Sequence, residues 1–544
     1  MSNRNLASPS RTRSPITLAR DLGLLALVAT AVCNVIGAGI NYLTLGIQQK
    51  VPGIGPHVPL AFLIGVFPAL FTALCYAILA SAMPRAGGGY IYVSRALHPF
   101  LGFMATFSKW FGLAAAIGII AYMDVGLLAA GIGYLDAYMK VDGAVTFLNS
   151  ETAKLVIPLA MIWLFWLVNI LGVRTYAWTV IVLMILMLAG GLAVIITGAA
   201  TTPDEYAAAF DRSPGTAITD VLDKAEAAQA EQDPGTPFPR DYRGIAAQVS
   251  PGPSAPATIP LAVAWLFFAY IGFAGISQAG GEARNPRRVL PRAFLIATAV
   301  ICGYYLLFSW AVYHAFGWRF VTGFVAASGG SANVPLLIGI VMHPVLAAFV
   351  ALMAALALAN DIPPMLLATS RLFFAWARDG IFPRGLASIN QRFHTPHWAL
   401  TACALVATGF VIACFLWQSY FDAVDTVVLA LTFTYLLVAI SVLTLPSRNP
   451  KIAAQVSFIR SRPAQIALAI LAIVFLLPLL AAVPFLQGRA TMLFWLAVMC
   501  AGALLFAIMW QRAKARGEDL AAVFADLPTT AEQPQPPPTA MGED

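Results

Sequence analysis

Long apolar segments, separated by short polar ones, follow one another along almost the whole chain. Runs such as Leu155 to Val173, Val180 to Gly198 and Ile466 to Leu486 reach the roughly 20 residues that a helix needs to cross a bilayer. We therefore predict an all-α integral membrane protein with twelve transmembrane helices, at about 21–47, 58–82, 100–135, 155–173, 175–199, 259–280, 293–317, 335–371, 398–417, 424–445, 464–486 and 490–510.

The composition agrees with this pattern. Of the 544 residues, 60% are hydrophobic and 10% are charged, against about 25% charged in soluble domains. The net charge of +7 comes from basic residues in short loops, where they act as orientation signals and not as a nucleic-acid surface. The six cysteines lie inside apolar segments without CxxC spacing, so we expect neither disulfides nor a metal site.

The loops on the two sides differ in charge. Lysine and arginine concentrate after the even-numbered helices, which predicts that both termini are cytoplasmic. The acidic segment 200–258 then lies outside, with a short surface helix at Ile218–Gln232 and irregular chain elsewhere. The remaining divisions are a cytoplasmic tail at 1–20, two five-helix halves at 21–199 and 259–445, two helices at 446–510, and a disordered cytoplasmic tail at 511–544.

Glycine pairs occur near the middle of the first and the sixth helix. Gly37 and Gly39 stand in the first, and Gly272 and Gly275 in the sixth. Each glycine weakens a helix by roughly 1 kcal/mol, and unwound backbone within a bilayer is tolerated only where it lines a cavity or is buried in protein. Either pair alone could serve close helix packing. Two pairs at matching places indicate a five-plus-five inverted repeat with discontinuous helices 1 and 6 and a binding site between them.

Such a site suits a zwitterion. The half-helix after Gly37 presents free N–H groups and the positive end of its dipole, which can hold a carboxylate. Unwound carbonyls near Ile36 and in 267–270 can accept hydrogen bonds from an ammonium group.

Four motifs make the chain resemble the amino acid permeases of the amino acid–polyamine–organocation (APC) superfamily. They are the opening helix LARDLGLLALVATAVCNVIGAGI, the turn PRAGGGYIY after Met83, the stretch FFAYIGFAGISQAGGEARNPRRVLPRA from Phe267, and the S-R and A-R-D-G elements ending at Gly380. The likeness covers roughly residues 15 to 445. It implies a LeuT-like, twelve-helix carrier in the cell membrane that moves amino acids or related amines by alternating access.

The resemblance also implies a substrate site at the two breaks. Carried over by position, it comprises Ile36, Gly37, Ala38, Gly39 and Ile40 in the first helix, and Phe267, Ala269, Tyr270, Phe273, Ala274 and Gly275 in the sixth. The sequence departs from many relatives at Ala274, where they carry an acid, and near Met187, where some proton-coupled relatives carry a lysine. An uncharged site with aromatic walls predicts neutral, apolar amino acids as substrates.

Three polar residues inside predicted helices are candidates for ion coupling. Asp361 follows Asn360 in the eighth helix, about ten residues from its predicted cytoplasmic end, and Asp124 lies in the third. A carboxylate at the centre of a bilayer costs ~2.5–3.5 kcal/mol on insertion scales, so such a residue is rarely without a function. Alternatively, Asp361 caps a helix broken by Pro363 and Pro364, and Asp124 bonds neighbouring backbone. A proton is favoured over sodium as the coupling ion.

Charged residues after the sixth and eighth helices suggest a cytoplasmic gate held by salt bridges. The candidates are Glu282, Arg284, Arg371, Arg378 and Asp379; the simpler alternative is that they only orient the chain in the membrane.

No enzyme motif is complete. His394-x-x-His397 lacks a third metal ligand, and the glycines at 86–89 lack the Lys-Ser/Thr of a phosphate loop. We expect no cofactor and no enzymatic activity. The leading hypothesis is an amino acid carrier, as symporter or exchanger; the alternatives are an amine, polyamine or cationic amino acid carrier, and a non-transporting membrane sensor on the same fold.

Overall fold

The computed structural model describes residues 17–37, 39–135, 141–213, 215–232, 237–249, 256–328, 332–417, 421–517 and 520–527. Within these ranges the chain forms helices and turns, and its one isolated bridge pairs Leu22 with Ala283. Ala38 and most of the two predicted tails lie outside the described residues.

The first part of the chain forms eight helices. They are α1 Leu24–Cys33, α2 Gly39–Lys50, α3 Val58–Ala82, α4 Gly89–Ala96, α5 Pro99–Gly133, α6 Asp142–Leu148, α7 Glu151–Ile170 and α8 Val173–Ala200. Local signals fix several of their starts. The Ser150 hydroxyl accepts from the N–H of Ala153 at the start of α7, and the His98 ring accepts from Phe100 at the start of α5. These side chains satisfy N–H groups that have no partner inside the helix.

The acidic segment is mostly helical. It contains α9 Pro203–Arg212, α10 Thr216–Gln232 and α11 Tyr242–Ala247. The predicted helix at Ile218–Gln232 corresponds to α10. The expectation of irregular chain elsewhere is wrong for α9 and α11. A capping box between Thr202 and Glu205 starts α9, and each of the two helices packs a tyrosine ring against Phe320.

The second part of the chain begins with short helices and continues with long ones. They are α12 Ile259–Leu266, α13 Gly275–Gln278, α14 Pro286–Phe316, α15 Trp318–Ala327, α16 Val334–Ile338, α17 Pro344–Ala359, α18 Ile362–Arg378, α19 His397–Trp417, α20 Phe421–Arg448, α21 Pro450–Ala453, α22 Arg462–Ala515 and α23 Leu520–Ala525. Single 3₁₀ turns occur at Gly55–His57, Pro256–Thr258, Phe267–Tyr270, Ala279–Gly281, Gly339–Val341 and Arg384–Ala387. Within α22, Gly488 has a φ of 86°, so the helix is divided there.

Ten stretches in the described parts of the chain are long and apolar enough to cross a membrane. They are Gly55–Ala82, Pro99–Gly133, Glu151–Ile170, Val173–Ala200, Pro286–Phe316, Pro344–Arg378, His397–Leu416, Val427–Arg448, Arg462–Ala482 and Gly488–Ala515. Large apolar side chains on their outer surface are exposed, among them Trp178, Leu416, Leu493 and Leu504. Such a surface is stable against lipid tails and not against water.

The predicted first and sixth helices are divided into shorter pieces at the centre of the bundle. Helix α1 packs against α8, α14 and α13, and α12 packs against α3. Extensive helix packing at the centre of the protein occurs between α14 and α3, between α17 and α5, and between α20 and α5. This arrangement places two non-helical stretches, 34–37 and 271–274, inside the protein.

Candidate functional site

The first non-helical stretch follows Cys33 at the end of α1. Asn34 closes α1 through its backbone N–H, which donates to the carbonyl of Thr30, and α2 begins at Gly39. Ile36, Gly37 and Ile40 are buried, and Gly39 is half-buried. The first N–H groups of α2 have no partner within their own helix, so they are available to a negatively charged group.

The second non-helical stretch follows the 3₁₀ turn Phe267–Tyr270. Gly272 has a φ of 126°, and a Cβ at this position would overlap the carbonyl of Asn34. Glycine is therefore required by both backbone conformation and close approach. The other predicted site residues in this stretch are all buried, namely Phe267, Ala269, Tyr270, Phe273, Ala274 and Gly275.

The two stretches are hydrogen-bonded to each other, although Asn34 and Gly272 are 238 residues apart. Asn34 Nδ2 donates to the carbonyl of Gly272 at 2.6 Å. The hydroxyl of Tyr305, on α14, lies 2.6 Å from the carbonyl of Val35 and 2.9 Å from that of Ala269. Buried carbonyls need such partners, because leaving one without a donor costs about 1–3 kcal/mol. Tyr305 therefore bridges the first stretch and the 3₁₀ turn that precedes the second.

Asp361 lies directly against the first stretch. It is the central residue of the 35-residue span Pro344–Arg378, and α17 and α18 are separated only by Asn360 and Asp361. A Cβ on Gly37 would overlap Asp361 Oδ2. The structure thus brings together two predicted residues, one from the substrate set and one from the coupling set.

The surroundings of Asp361 contain polar atoms without partners. Oδ1 of Asp361 and Oδ1 of Asn360 are buried and accept no hydrogen bond from any described residue. Asn360 Nδ2 contacts the sulfur of Met187 at 3.1 Å. Met187, which belongs to the fifth predicted helix, therefore lies beside Asn360. No ion pair among the described residues involves Asp361.

Asp124, the third coupling candidate, is on α5, which packs against α17. Its side chain is 1% exposed and its Oδ1 has no hydrogen-bond partner among the described residues. It is close enough to Asp361 to interact with it electrostatically. Two carboxylates that are buried near each other repel when both are charged.

Three of the predicted gate residues belong to two buried ion pairs, and the other two are arginines nearer the surface. Arg371 donates to both carboxylate oxygens of Glu282, at 2.5 and 3.3 Å, and these side chains are 1% and 0% exposed. Asp379 pairs with Arg95 and not with Arg371 or Arg378; two Arg95 nitrogens donate to it at 2.5 and 2.9 Å.

The remaining gate residues lie nearer the surface. Arg284 pairs with Asp21 at 3.0 Å, and Arg174 pairs with the same carboxylate at 2.8 Å. Hydrogen bonds from these two arginines lower the pKa of Asp21. Arg378 stacks over the ring of Phe374, with 5.6 Å from the guanidinium carbon to the ring centre.

Sequence reasoning missed Arg95, Tyr90 and Asp21. Tyr90 donates to Asp379 at 2.7 Å. The P-R-A-G-G-G-Y turn, which in the sequence alone was only evidence of family resemblance, therefore contributes to the hydrogen bonds around Asp379. The backbone also joins the two halves here, since the N–H of Leu22 donates to the carbonyl of Glu282 at 3.0 Å and that of Arg284 donates to Leu22 at 2.9 Å.

One cavity beside the first stretch has a volume of about 10 Å³ and is lined by Gly37, Asn41, Met187 and Tyr304, among others, which is room for about one water molecule. On the face that carries the two buried ion pairs, the side chains of both pairs are shielded from solvent, so this face is closed in the structure.

A chain with ten long apolar helices around buried non-helical backbone is a multi-pass membrane protein. The family model for amino acid permeases matches residues 22–507, and the chain belongs to this family, within the APC superfamily. This is a family of transporters and not of enzymes.

Several curated proteins are similar to the chain over most of its length. A vacuolar cationic amino acid transporter 2 of Arabidopsis thaliana is 27% identical over 79% of this chain, but the match spans only 60% of that protein. The branched-chain amino acid permease BcaP of Bacillus subtilis is 25% identical over 70% of this chain, and the match spans 72% of that permease. A methylthioribose transporter of Bacillus subtilis is 24% identical over 82% and 85%.

Proposed function

We propose that the protein is a secondary active transporter that moves neutral, apolar amino acids across the cell membrane by alternating access. The observation that carries the proposal is the contact between the two non-helical stretches, with the carboxylate of Asp361 against Gly37. Non-helical backbone within a bilayer is tolerated only where it lines a cavity or is buried in protein, and in secondary transporters two such breaks typically form the substrate site. A substrate carboxylate would meet the N–H groups at the start of α2, and its ammonium group would meet the carbonyls of both stretches.

The proposed architecture has twelve helices. The ten long spans are completed by α1 with α2, and by α12 with α13, as two discontinuous helices. Helices one to five and six to ten then form the inverted repeat. Both termini are placed in the cytoplasm, because the arginine-rich loops lie on that side.

Asp361 supplies a physical basis for proton coupling. Its carboxylate occupies the region in which the substrate carboxylate would approach Gly37, and two negative charges there would repel. Protonation of Asp361 removes this repulsion, so a proton and a substrate would bind together. The proton can shift the transport cycle only by binding the two states with different affinity, which requires the exposure of Asp361 to change. Coupling to sodium, or exchange without an ion, are the alternatives.

A neutral substrate is favoured by the walls of the site. Ala274 offers only a methyl group, and the rings of Tyr270 and Phe273 are buried beside it. The similarity to branched-chain permeases supports this choice. The second candidate is a cationic amino acid or amine, because Asp124 and Asp361 are two buried carboxylates to which no described cation is paired, and because vacuolar cationic amino acid transporters are also similar to the chain.

Uptake of labelled leucine into proteoliposomes tests the proposal. Leucine, phenylalanine and alanine should compete with uptake more strongly than arginine, lysine or glutamate. Competition in the reverse order would favour the cationic substrate, and no transport of any amino acid would favour a sensor.

Gly39→Leu should abolish uptake while the protein still inserts in the membrane, since the side chain would fill the approach to the start of α2. Gly409→Leu, at a glycine on α19 with open space around it, is the matched control and should transport normally.

A further inference from the structure

Four arginines converge on one cleft at the face that carries the buried ion pairs. The cleft has a volume of about 540 Å³ and is lined by Arg20, Arg85, Arg287 and Arg288, together with Pro84, Asn285 and Pro286. The described lining contains no acidic side chain. A concave space of this size is sufficient for a small ligand.

Two carboxylates in the adjoining segments, those of Asp21 and Glu282, have partners outside the cleft. Asp21 accepts from Arg174 and Arg284, and Glu282 accepts from Arg371. The positive charge of the cleft is therefore not balanced by these acids. Arg287 donates to the amide oxygen of Gln455 at 2.8 Å, which orients its guanidinium without neutralising it.

One further feature increases the positive potential, and a second is a consequence of it. The cleft lies at the N-terminal end of α14, a 31-residue helix without an acidic residue in its first turn, and such an end carries a partial positive charge. Arg85 is half-buried, and its pKa is lowered by burial and by the positive charges of Arg20, Arg378 and Arg287. Arginines that only orient a chain in the membrane need not converge in this way.

We propose that this cleft binds a phosphate group, either from an anionic phospholipid headgroup or from a free phosphate compound. The planar guanidinium groups of several arginines match the oxygen atoms of phosphate, and basic pockets at the ends of membrane helices bind anionic headgroups. Bound phosphate would contact the segment before α1, the turn before α4 and the start of α14.

The consequence for gating rests on the proposed transport function. The three segments adjoin the contact between Leu22 and Ala283, so a bound phosphate would favour the closed arrangement of this face. Binding itself can be measured without transport, and the two proposals can therefore fail independently.

The test uses the full-length protein in nanodiscs of phosphatidylcholine, with two additions made separately. One is phosphatidylglycerol, an anionic lipid, at about 20 to 30% of the total; the other is inorganic phosphate in the buffer. Native mass spectrometry measures retained phosphatidylglycerol, and the melting temperature reports either ligand. Retention of phosphatidylglycerol without an effect of phosphate identifies a lipid site, and stabilisation by phosphate alone identifies a site for free phosphate.

Variants separate the cleft from general charge effects. Arg85→Gln and Arg287→Gln should each weaken binding by about fivefold. Arg512→Gln removes a cation from the exposed end of α22, outside the cleft, and should leave binding unchanged. The proposal is overturned if neither ligand binds, or if Arg512→Gln weakens binding as much as Arg85→Gln does. If Arg85→Gln or Arg287→Gln has a folding defect, its melting temperature without ligand will be lower than that of the parent. The other of these two variants is then used to judge the proposal.

Discussion

The buried pair between Arg371 and Glu282 offers a sharp test of the proposed gate. Glu282→Gln removes the charge of one partner and keeps its size. The guanidinium of Arg371, which is 1% exposed, then remains in the closed state without its counter-charge. Breaking a buried pair in this way costs about 3–5 kcal/mol. If the open state admits water to Arg371, this cost falls on the closed state alone.

The magnitude follows from these numbers. A cost of about 3–5 kcal/mol corresponds to a shift of the equilibrium between closed and open states by roughly 150-fold to 5,000-fold toward the open state. The double variant Glu282→Gln with Arg371→Gln buries no unpaired charge and should recover a large part of the closed population. Asp21→Asn is the matched control. Its partners Arg174 and Arg284 are 78% and 58% exposed, and such pairs contribute at most about 1 kcal/mol.

Labelling of a cysteine at position 277 measures the shift. Ser277 is fully buried just beyond the second non-helical stretch, so Ser277→Cys should react with a thiol reagent only when this face opens. The six native cysteines are first replaced. Glu282→Gln should accelerate labelling from the side that carries this ion pair by at least about tenfold, a margin set below the full calculated range. Equal labelling rates in Glu282→Gln and Asp21→Asn would refute the assignment of this pair to the gate.

Three further outcomes are expected. Gly272→Ala should lower the melting temperature and abolish uptake, because its φ of 126° and the Asn34 carbonyl exclude a Cβ; normal uptake would place the two stretches further apart. Tyr305→Phe should destabilise the protein by about 1–3 kcal/mol in urea unfolding, since the buried carbonyls of Val35 and Ala269 lose the one hydroxyl proton that they share. Leucine affinity of the parent, measured by calorimetry, should fall as the pH rises, because deprotonated Asp361 repels the substrate carboxylate, and the Asp361→Asn variant should show no such dependence.

Hydrophobic patterning predicted the membrane helices, because each long apolar run must be buried in lipid or protein. The two glycine pairs lie at or beside the non-helical stretches 34–37 and 271–274, and the structure shows why Gly272 is needed. The end of the eighth helix was predicted at 371 but lies at Arg378. The ion pair with Glu282 allows Arg371 to be buried, so the helix continues past it.

Which distant residues form hydrogen bonds or ion pairs with each other was harder to predict than which residues are buried. Arg95 and Asp379 are separated by 284 residues, and nothing in the local pattern of either one identifies the other. The same holds for Asn34 and Gly272. Sequence periodicity reports which face of a helix is buried, but the contact across the bundle depends on how the helices pack.

The helices of the acidic segment could have been found. Thr202 and Glu205 form a capping box, and Tyr206 and Phe210 follow at a spacing that places them on one face of a helix. The rings of Tyr206 and Phe316 are 4.7 Å apart. The proline and glycine content of the later part of this segment obscured that pattern.

The most direct test of the central claim is leucine accumulation in proteoliposomes under an inward proton gradient, compared between the parent protein and Asp361→Asn. The account predicts that the parent concentrates leucine above the external level. It predicts that the variant loses this accumulation but still exchanges internal for external leucine, because the uncharged amide mimics protonated Asp361 without releasing a proton. Accumulation by Asp361→Asn equal to that of the parent, under the same gradient, would contradict the account.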